Sequence, residues 1–150
     1  MEAAESRAGP GPALSLVLDS SATLAWIYSE EITPPIAQLF RQIAESGAWV
    51  PGLWRLEVGN ILEMGIRRGR HDARFRDATF ADLSLLPVQV DPETDRHAWA
   101  TTTEMASRYQ LTLYDAAYLE LARRRGLPLA SLDSDLRKAA KLERVPLLGA

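Results

Sequence analysis

Short apolar segments alternate with longer amphipathic segments along almost the whole chain. An apolar run of a few residues between turn formers is typical of a strand that is buried on both faces. Strands that alternate with helices within one domain form a mainly parallel sheet that helices cover on both faces. The pattern therefore predicts an α/β fold with strands in ALSLVL at 13–18, AWV at 48–50, PVQV at 87–90, LPLASL at 127–132 and VPLL at 145–148.

The amphipathic segments carry helix start and stop signals. In TPPIAQLFRQIAESG, residues 33–47, a threonine cap, prolines in the first turn and a closing glycine enclose apolar residues at helical spacing. Residues 91–110 open with Asp91 as a cap and Pro92 at the first helical position, so we predict one helix there. The same periodicity predicts helices over 21–29, 53–68, 71–85, 113–125 and 134–142.

Length and composition restrict the class of protein. A chain of 150 residues with 47% hydrophobic and 25% charged residues is expected to fold as one globular domain, over 13–150, behind a flexible Pro/Gly-rich tail at 1–12. We find no membrane-spanning run and no secretory signal, and we therefore expect a cytoplasmic protein. The absence of cysteine excludes thiolate chemistry. The net charge of −3 argues against a generic basic coat for nucleic acid.

Acidic residues follow two of the predicted strands. Asp19 ends the first strand and Asp133 follows LPLASL, at the sheet edge where ligands of open parallel sheets bind. Each one alone is also explained as a helix cap, and Asp115 is explained by a capping box with Thr112. We expect the serines at 20 and 21 to make the local turn and cap bonds, which would leave the Asp19 carboxylate free.

Glu57 lies on a helical stripe that has apolar residues at both ends. We therefore expect it to face the core, where a charge needs a partner. Asn60 lies one turn further along and presents an amide beside the carboxylate. The alternative is a glutamate at the edge of the stripe that pairs with Arg55 or Arg67.

Several carboxylates that converge at one edge repel one another unless a cation is present. Oxygen ligands alone favour a hard ion, Mg²⁺ or Mn²⁺, which can orient water for in-line attack on a phosphodiester. The only histidines, His71 and His97, are expected to be locally bonded and not to form a catalytic pair. The predicted chemistry is therefore metal-dependent phosphodiester hydrolysis.

Basic residues cluster in IRRGRHDARFR, which includes Arg67 and Arg68, and in ARRRG and DLRKAAK. Phosphate contact is the functional interpretation of these clusters, although solvated arginines at a helix end explain ARRRG better. The tryptophans at 26, 49, 54 and 99 are expected to be core or subunit-interface anchors, not platforms for base stacking.

Four stretches resemble, in order, the motifs of PIN-domain ribonucleases of the VapC toxin type: LVLDSSATLAW, PGLWRLEVGNIL, LTLYDAAYLELARRRGLPLASLDSDLRKAA and VPLL. The resemblance covers about 14–148. It implies a three-layer α/β/α fold and an endoribonuclease that depends on Mg²⁺ or Mn²⁺. It also implies site residues: Asp19, Glu57 and Asp115 as the principal acids, Asp133 as the fourth, Asp135 as an alternative metal ligand, and Asn60, Ser20 and Ser131 beside them.

The resemblance further implies partners. Toxins of this type act on RNA, commonly tRNA or rRNA, form homodimers, and are inhibited by a small VapB-like antitoxin that also binds DNA, as parts of type II toxin–antitoxin systems. Two alternatives stay open. One is a non-catalytic module of the same fold whose acidic pocket binds metal weakly or docks a partner, and the other is a metal-dependent phosphatase that acts on small substrates.

Overall fold

A five-stranded sheet forms the centre of the computed structural model, which describes residues 15–150. The strands are β1 (Leu16–Leu18), β2 (Ala48–Val50), β3 (Val88–Val90), β4 (Leu129–Ala130) and β5 (Leu147–Leu148). All neighbours pair in parallel, in the order β3-β2-β1-β4-β5. The predicted α/β class is confirmed, and the architecture is consistent with three layers. The predicted tail, residues 1–12, lies outside the described residues.

The position of β1 at the centre of the sheet explains why its sequence is apolar throughout. Val17 pairs with Trp49 of β2 on one side and with Leu129 of β4 on the other, and all three residues of β1 are fully buried. Because the neighbouring strands run in the same direction, their carboxyl ends meet at one edge of the sheet. Asp19 and Ser131 directly follow β1 and β4 at this edge.

Helices fill the connections between the strands. A predicted helix is confirmed in full at 113–125 and at 134–142, and Thr33 caps the helix that begins at Pro34 by accepting the Ile36 N–H. No helix within residues 15–150 is both long and apolar enough to cross a membrane. The helices are α1 (Ser20–Ile27), α2 (Pro34–Ser46), α3 (Trp54–Arg67), α4 (Ala73–Ser84), α5 (Thr94–His97), α6 (Thr103–Tyr109), α7 (Leu113–Arg125) and α8 (Ser134–Leu142).

The prediction of one helix over 91–110 is wrong. The chain forms α5, then a π-helical turn at Ala98–Thr102 in which Ala100 leaves the helical conformation (φ −124°, ψ −109°), and then α6. Asp91 does not cap a helix, because its side chain is buried and bound to two arginines. Arg124 Nη2 lies 2.6 Å from Asp91 Oδ2, and Arg125 Nη2 lies 3.1 Å from Oδ1.

These ion pairs also correct the expectation that the arginines of ARRRG are solvated, which holds for the exposed Arg123 but not for Arg124 and Arg125. Arg124 additionally contacts Glu120 at 2.7 Å, and the Arg125 guanidinium lies 3.6 Å from the centroid of the Trp49 ring. Burial alone would raise the pKa of Asp91, but hydrogen bonds and charge from the two arginines outweigh it and lower that pKa. The network therefore joins the end of β3 to α7 and to β2.

The tryptophans play different parts. Trp54 is buried and donates its indole N–H to Thr23 Oγ1 at 3.1 Å, which fixes α3 against α1. Trp26 stacks on Phe40 with ring centroids 4.7 Å apart, whereas Trp99 is 93% exposed. Trp54 is therefore a core anchor, as expected, and Trp99 contributes nothing to the core.

His71 is bonded locally, in agreement with the expectation, whereas His97 Nε2 has no hydrogen-bond partner among the described residues. His71 Nε2 lies 2.8 Å from the carbonyl oxygen of Leu62, and a Cβ at Gly65 would come within 2.3 Å of the His71 ring. His97 lies 3.6 Å from Glu93, one helical turn earlier. Neither histidine contacts the other or the acids that follow β1 and β4.

Replacing Asp91 with asparagine is expected to destabilise the fold. The substitution removes the acceptor charge of a buried pair and leaves Arg125 without an ion partner, and breaking such a pair costs about 3 kcal/mol. Urea unfolding measures the change. Asp95→Asn, an exposed position in α5, is the control and should shift the free energy of unfolding by less than about 0.5 kcal/mol. Equal effects of the two substitutions would contradict a structural role for the network.

Candidate active site

Asp19 lies at the carboxyl end of the central strand and caps α1. Its Oδ1 accepts the backbone N–H of Ala22 at 2.9 Å and the hydroxyl of Ser21 at 2.8 Å. The expectation that Ser20 and Ser21 would take the cap bonds is therefore wrong. Asp19 itself is the N-cap residue, because it lies three positions before Ala22, the separation at which a cap side chain reaches a backbone N–H. Asp19 Oδ2 accepts the same Ser21 hydroxyl, at 3.0 Å.

Burial raises the pKa of the Asp19 carboxyl to about 6. Asp19 is only 3% exposed, and the negative charge of Asp115 acts in the same direction. The Ala22 N–H and the hydroxyls of Ser131 and Ser21 offset part of this shift. A carboxylate in this position is consequently expensive to ionise unless a cation neutralises it.

Ser21 is a site residue that the sequence did not single out for this role. Its hydroxyl donates to Asp19 and accepts the N–H of Leu132 at 2.8 Å, which joins the start of α1 to the loop after β4. Ser131, which was singled out, lies with its hydroxyl 3.5 Å from that of Ser21 and accepts the N–H of Asp133 at 3.1 Å. The two serines hold the ends of β1 and β4 in one arrangement.

The expectation that Glu57 faces the core is wrong, because α3 turns toward the core a different face from the one that carries Glu57. Trp54, Val58 and Leu62 take the buried face, so Glu57 lies half-buried at its border and Asn60 is exposed. The bond between Trp54 and Thr23 explains this rotation, since it requires Trp54 to point inward.

Tyr118 is the partner of Glu57. Its hydroxyl donates to Glu57 Oε1 at 2.6 Å, and no ion pair with Arg55 or Arg67 forms. Burial, the largest cause, and the charge of Asp115 both raise the pKa of Glu57. Hydrogen bonds from the hydroxyls of Tyr118 and Ser20 lower it, and the net effect is a rise. Tyr118 itself is buried. Tyr118 lies three residues after Asp115 on α7, a spacing that places both side chains on one face of the helix. This spacing was the signal in the sequence for a site role of Tyr118.

The capping interpretations of Asp133 and Asp115 have different outcomes. Asp133 caps α8, since its Oδ2 accepts the Leu136 N–H at 2.8 Å. At the start of α7 it is Thr112 that provides the cap, by accepting the Asp115 N–H at 3.1 Å. Asp115 is half-buried, and Asp135 lies exposed in the first turn of α8.

Asp115 connects the acids electrostatically. Its charge raises the pKa of Asp19 and that of Glu57, while its own pKa is raised first by burial and then by the charges of Asp133 and Asp135. Within residues 15–150, no arginine or lysine forms an ion pair with any of these five acids. We call this set the acid group; it holds negative charge that the described part of the chain does not neutralise.

The donor set suits a hard cation in an open site. It offers carboxylate and hydroxyl oxygens and no imidazole or thiolate. In the part of the chain that the structure describes, no three acidic or histidine side chains are close enough to enclose a metal ion. Magnesium-type ions do not need such an enclosure, because one or two carboxylates hold them while water and substrate phosphate complete the shell.

Two predicted substrate-binding residues lie away from the acid group. Arg67 and Arg68 are exposed at the carboxyl end of α3, and ten residues of helix separate Glu57 from Arg67, which is about 15 Å. Arg67 instead contacts the sulfur of Met64 at 3.7 Å. Only a substrate that extends well beyond the acids would reach them.

Comparison with known proteins agrees with the fold. The crystal structure of PAE2754 from Pyrobaculum aerophilum matches with a TM-score of 0.63 and 25% identity over 89% of this chain and 83% of that chain. A search of the curated proteins finds no significant match. The family model of the PIN domain, generally a metal-dependent nuclease fold, matches residues 16–142, a span that contains the whole acid group. The chain therefore belongs to the PIN domain family.

Proposed function

We propose that this PIN domain is an endoribonuclease that hydrolyses RNA phosphodiester bonds with Mg²⁺ or Mn²⁺. The observation that carries the proposal is the acid group, in which five carboxylates from four helix and strand ends influence one another without a cationic partner among residues 15–150. Asp19 and Asp133 also cap helices, but Asp115 and Glu57 cap none and add repulsion that a purely structural role does not explain.

Each residue of the acid group has a role in the proposed reaction. Asp19 and Asp115 would hold the ion, with Asp133 or Asp135 completing the set. When bound, the ion lowers the pKa of water and neutralises the charge that develops on the phosphate. Glu57, which Tyr118 holds in place, positions the attacking water and accepts its proton. Asp19 is ionised above about pH 6 and is then ready to bind the cation.

We further propose that the nuclease is the toxin of a type II toxin–antitoxin system, with tRNA or rRNA as substrate, a VapB-like antitoxin as inhibitor and a homodimer as the working form. The ordered motifs of the sequence support this.

Expression in a bacterial host tests the toxin proposal. The wild-type chain should arrest growth, and the Asp19→Asn variant, expressed at the same level, should not. Co-expression of a small protein encoded directly upstream should restore growth. Normal growth with soluble wild-type protein present would contradict the toxin role while leaving the nuclease proposal intact.

Asp19→Asn is expected to reduce RNA cleavage at least 100-fold while leaving the fold unchanged. Asparagine still caps α1 through its side-chain oxygen, but it offers the cation no charge. Cleavage of labelled RNA is measured with Mg²⁺, with Mn²⁺ and with EDTA, and circular dichroism checks folding. Asp95→Asn is the exposed control. Equal cleavage by Asp19→Asn and wild type would refute the mechanism, whereas metal binding without any turnover would favour the binding-module alternative.

Tyr118→Phe is expected to move the acidic limb of the pH–activity profile toward higher pH. The Tyr118 hydroxyl stabilises the ionised form of Glu57, and its loss raises the pKa of that carboxyl further. A hydrogen bond to a charged group is worth about 1.5 kcal/mol, so kcat/KM should fall about tenfold at the acidic end and less at pH 8.

Tyr114→Phe is the matched control for this experiment, because Tyr114 lies on the same helix with its side chain 63% exposed. It should leave the profile in place. A uniform loss of activity at every pH in Tyr118→Phe would contradict an effect through Glu57.

A further inference from the structure

A polar cleft lies between α6 and α8, with a volume of about 360 Å³. One wall is the end of α6, with Arg108, Tyr109 and Gln110, and the other is the outer face of α8, with Asp135 and Lys138. Of the residues that line this cleft, only Asp135 has a functional role assigned above.

The cleft adjoins the acid group at Asp135, which belongs to that group and is one of the residues that line the cleft. On the opposite wall, Gln110 adopts a left-handed conformation (φ 58°) that ends α6 and turns the chain into α7, where Asp115 follows five residues later. A ligand that occupies the cleft is therefore next to the proposed reaction centre.

Positive charge is in excess around the cleft, in contrast to the acid group. Glu143, almost buried at 9% exposure, is shared by Arg108 and Arg123 at 3.1 Å each, and it also accepts the hydroxyl of Tyr109. Lys138 forms no ion pair with any described residue. Two cations, Arg108 and Lys138, and one carboxylate, Asp135, line the cleft itself; Glu143 holds Arg108 in place, whereas Lys138 is free to bind.

We propose that this cleft holds a phosphate of the RNA strand beside the phosphodiester to be cleaved, with Lys138 as the positioning residue. The inference rests on the proposed function and deepens it. A small phosphate ester has one phosphate and gains nothing from the cleft, whereas a polynucleotide places a second phosphate there. The arrangement therefore favours a polymer over the small substrates of a phosphatase.

The chain has only two lysines, 138 and 141, which makes the proposal directly observable. Reductive ¹³C-methylation keeps the charge of each lysine and gives one resonance for each, which Lys141→Arg assigns. Single-stranded oligouridylate added in EDTA, where no cleavage occurs, should shift the Lys138 resonance and leave that of Lys141 in place, since Lys141 does not line the cleft. Equal shifts of both resonances, or none, would overturn the proposal.

Salt dependence of binding gives the quantitative test. The binding constant for the same oligouridylate is measured in EDTA at several salt concentrations. For Lys138→Gln, the slope of the logarithm of this constant against the logarithm of the salt concentration should become less steep by about 0.7, the value for one phosphate contact on a single strand. Lys141→Gln should keep the wild-type slope, and Lys138→Arg should restore it. Identical slopes for the two glutamine variants would overturn the proposal.

Activity separates this inference from the proposed function. In Lys138→Gln, KM for RNA should rise severalfold with kcat within about twofold, because the substitution leaves the acid group intact. If the wild type binds through Lys138 but cleaves no RNA, the proposed function fails and the cleft assignment stands. If it cleaves RNA with an unchanged KM in Lys138→Gln, only the cleft assignment fails.

Discussion

Burial of the Asp19 carboxylate at the end of the central strand is the constraint on which the site depends. β1 has neighbours on both sides and helices over both faces, so the residue that follows it cannot reach bulk water. A carboxyl group in that position must either keep its proton to about pH 6 or meet a cation. The charge of Asp115 raises this pKa further, so that at neutral pH Asp19 is an ionised, buried carboxylate that a bound cation would stabilise.

A second buried aspartate that follows a strand is stabilised in a different way, by arginines of the protein itself. Asp91, 2% exposed, follows β3 and is neutralised by Arg124 and Arg125, which lower its pKa; Asp19, 3% exposed, has no such partner, and its pKa is raised. The chain therefore has the arginines needed to neutralise a buried aspartate and does not place them at Asp19. This difference between a structural and a functional acid supports the assignment of the acid group to metal binding.

The sequence predicted what depends on local pattern. Apolar runs and caps were sufficient for the parallel sheet and for the bounds of α7 and α8, and they put Asp19 and Asp133 after neighbouring strands, at the same edge of the sheet. Contacts between residues that lie far apart in the sequence could not be predicted from local pattern. The partner of Glu57 is 61 residues away, and that of Asp91 is 33 residues away. The rotation of α3, which accompanies the bond between Trp54 and Thr23, likewise depends on a contact between distant positions that periodicity does not record.

Metal-dependent stability of Asp115→Asn tests the central claim most directly, because Asp115 is the residue that connects the acids. The free energy of unfolding is measured by urea at pH 7.5, in EDTA and in Mn²⁺, for the variant and the wild type. In EDTA the variant should be the more stable, since it removes repulsion from the other acids while Thr112 still caps α7. Mn²⁺ at ten times its Kd should stabilise the wild type by about 1.4 kcal/mol and the variant much less. A variant that is less stable in EDTA, with no effect of Mn²⁺ on the wild type, would contradict the account.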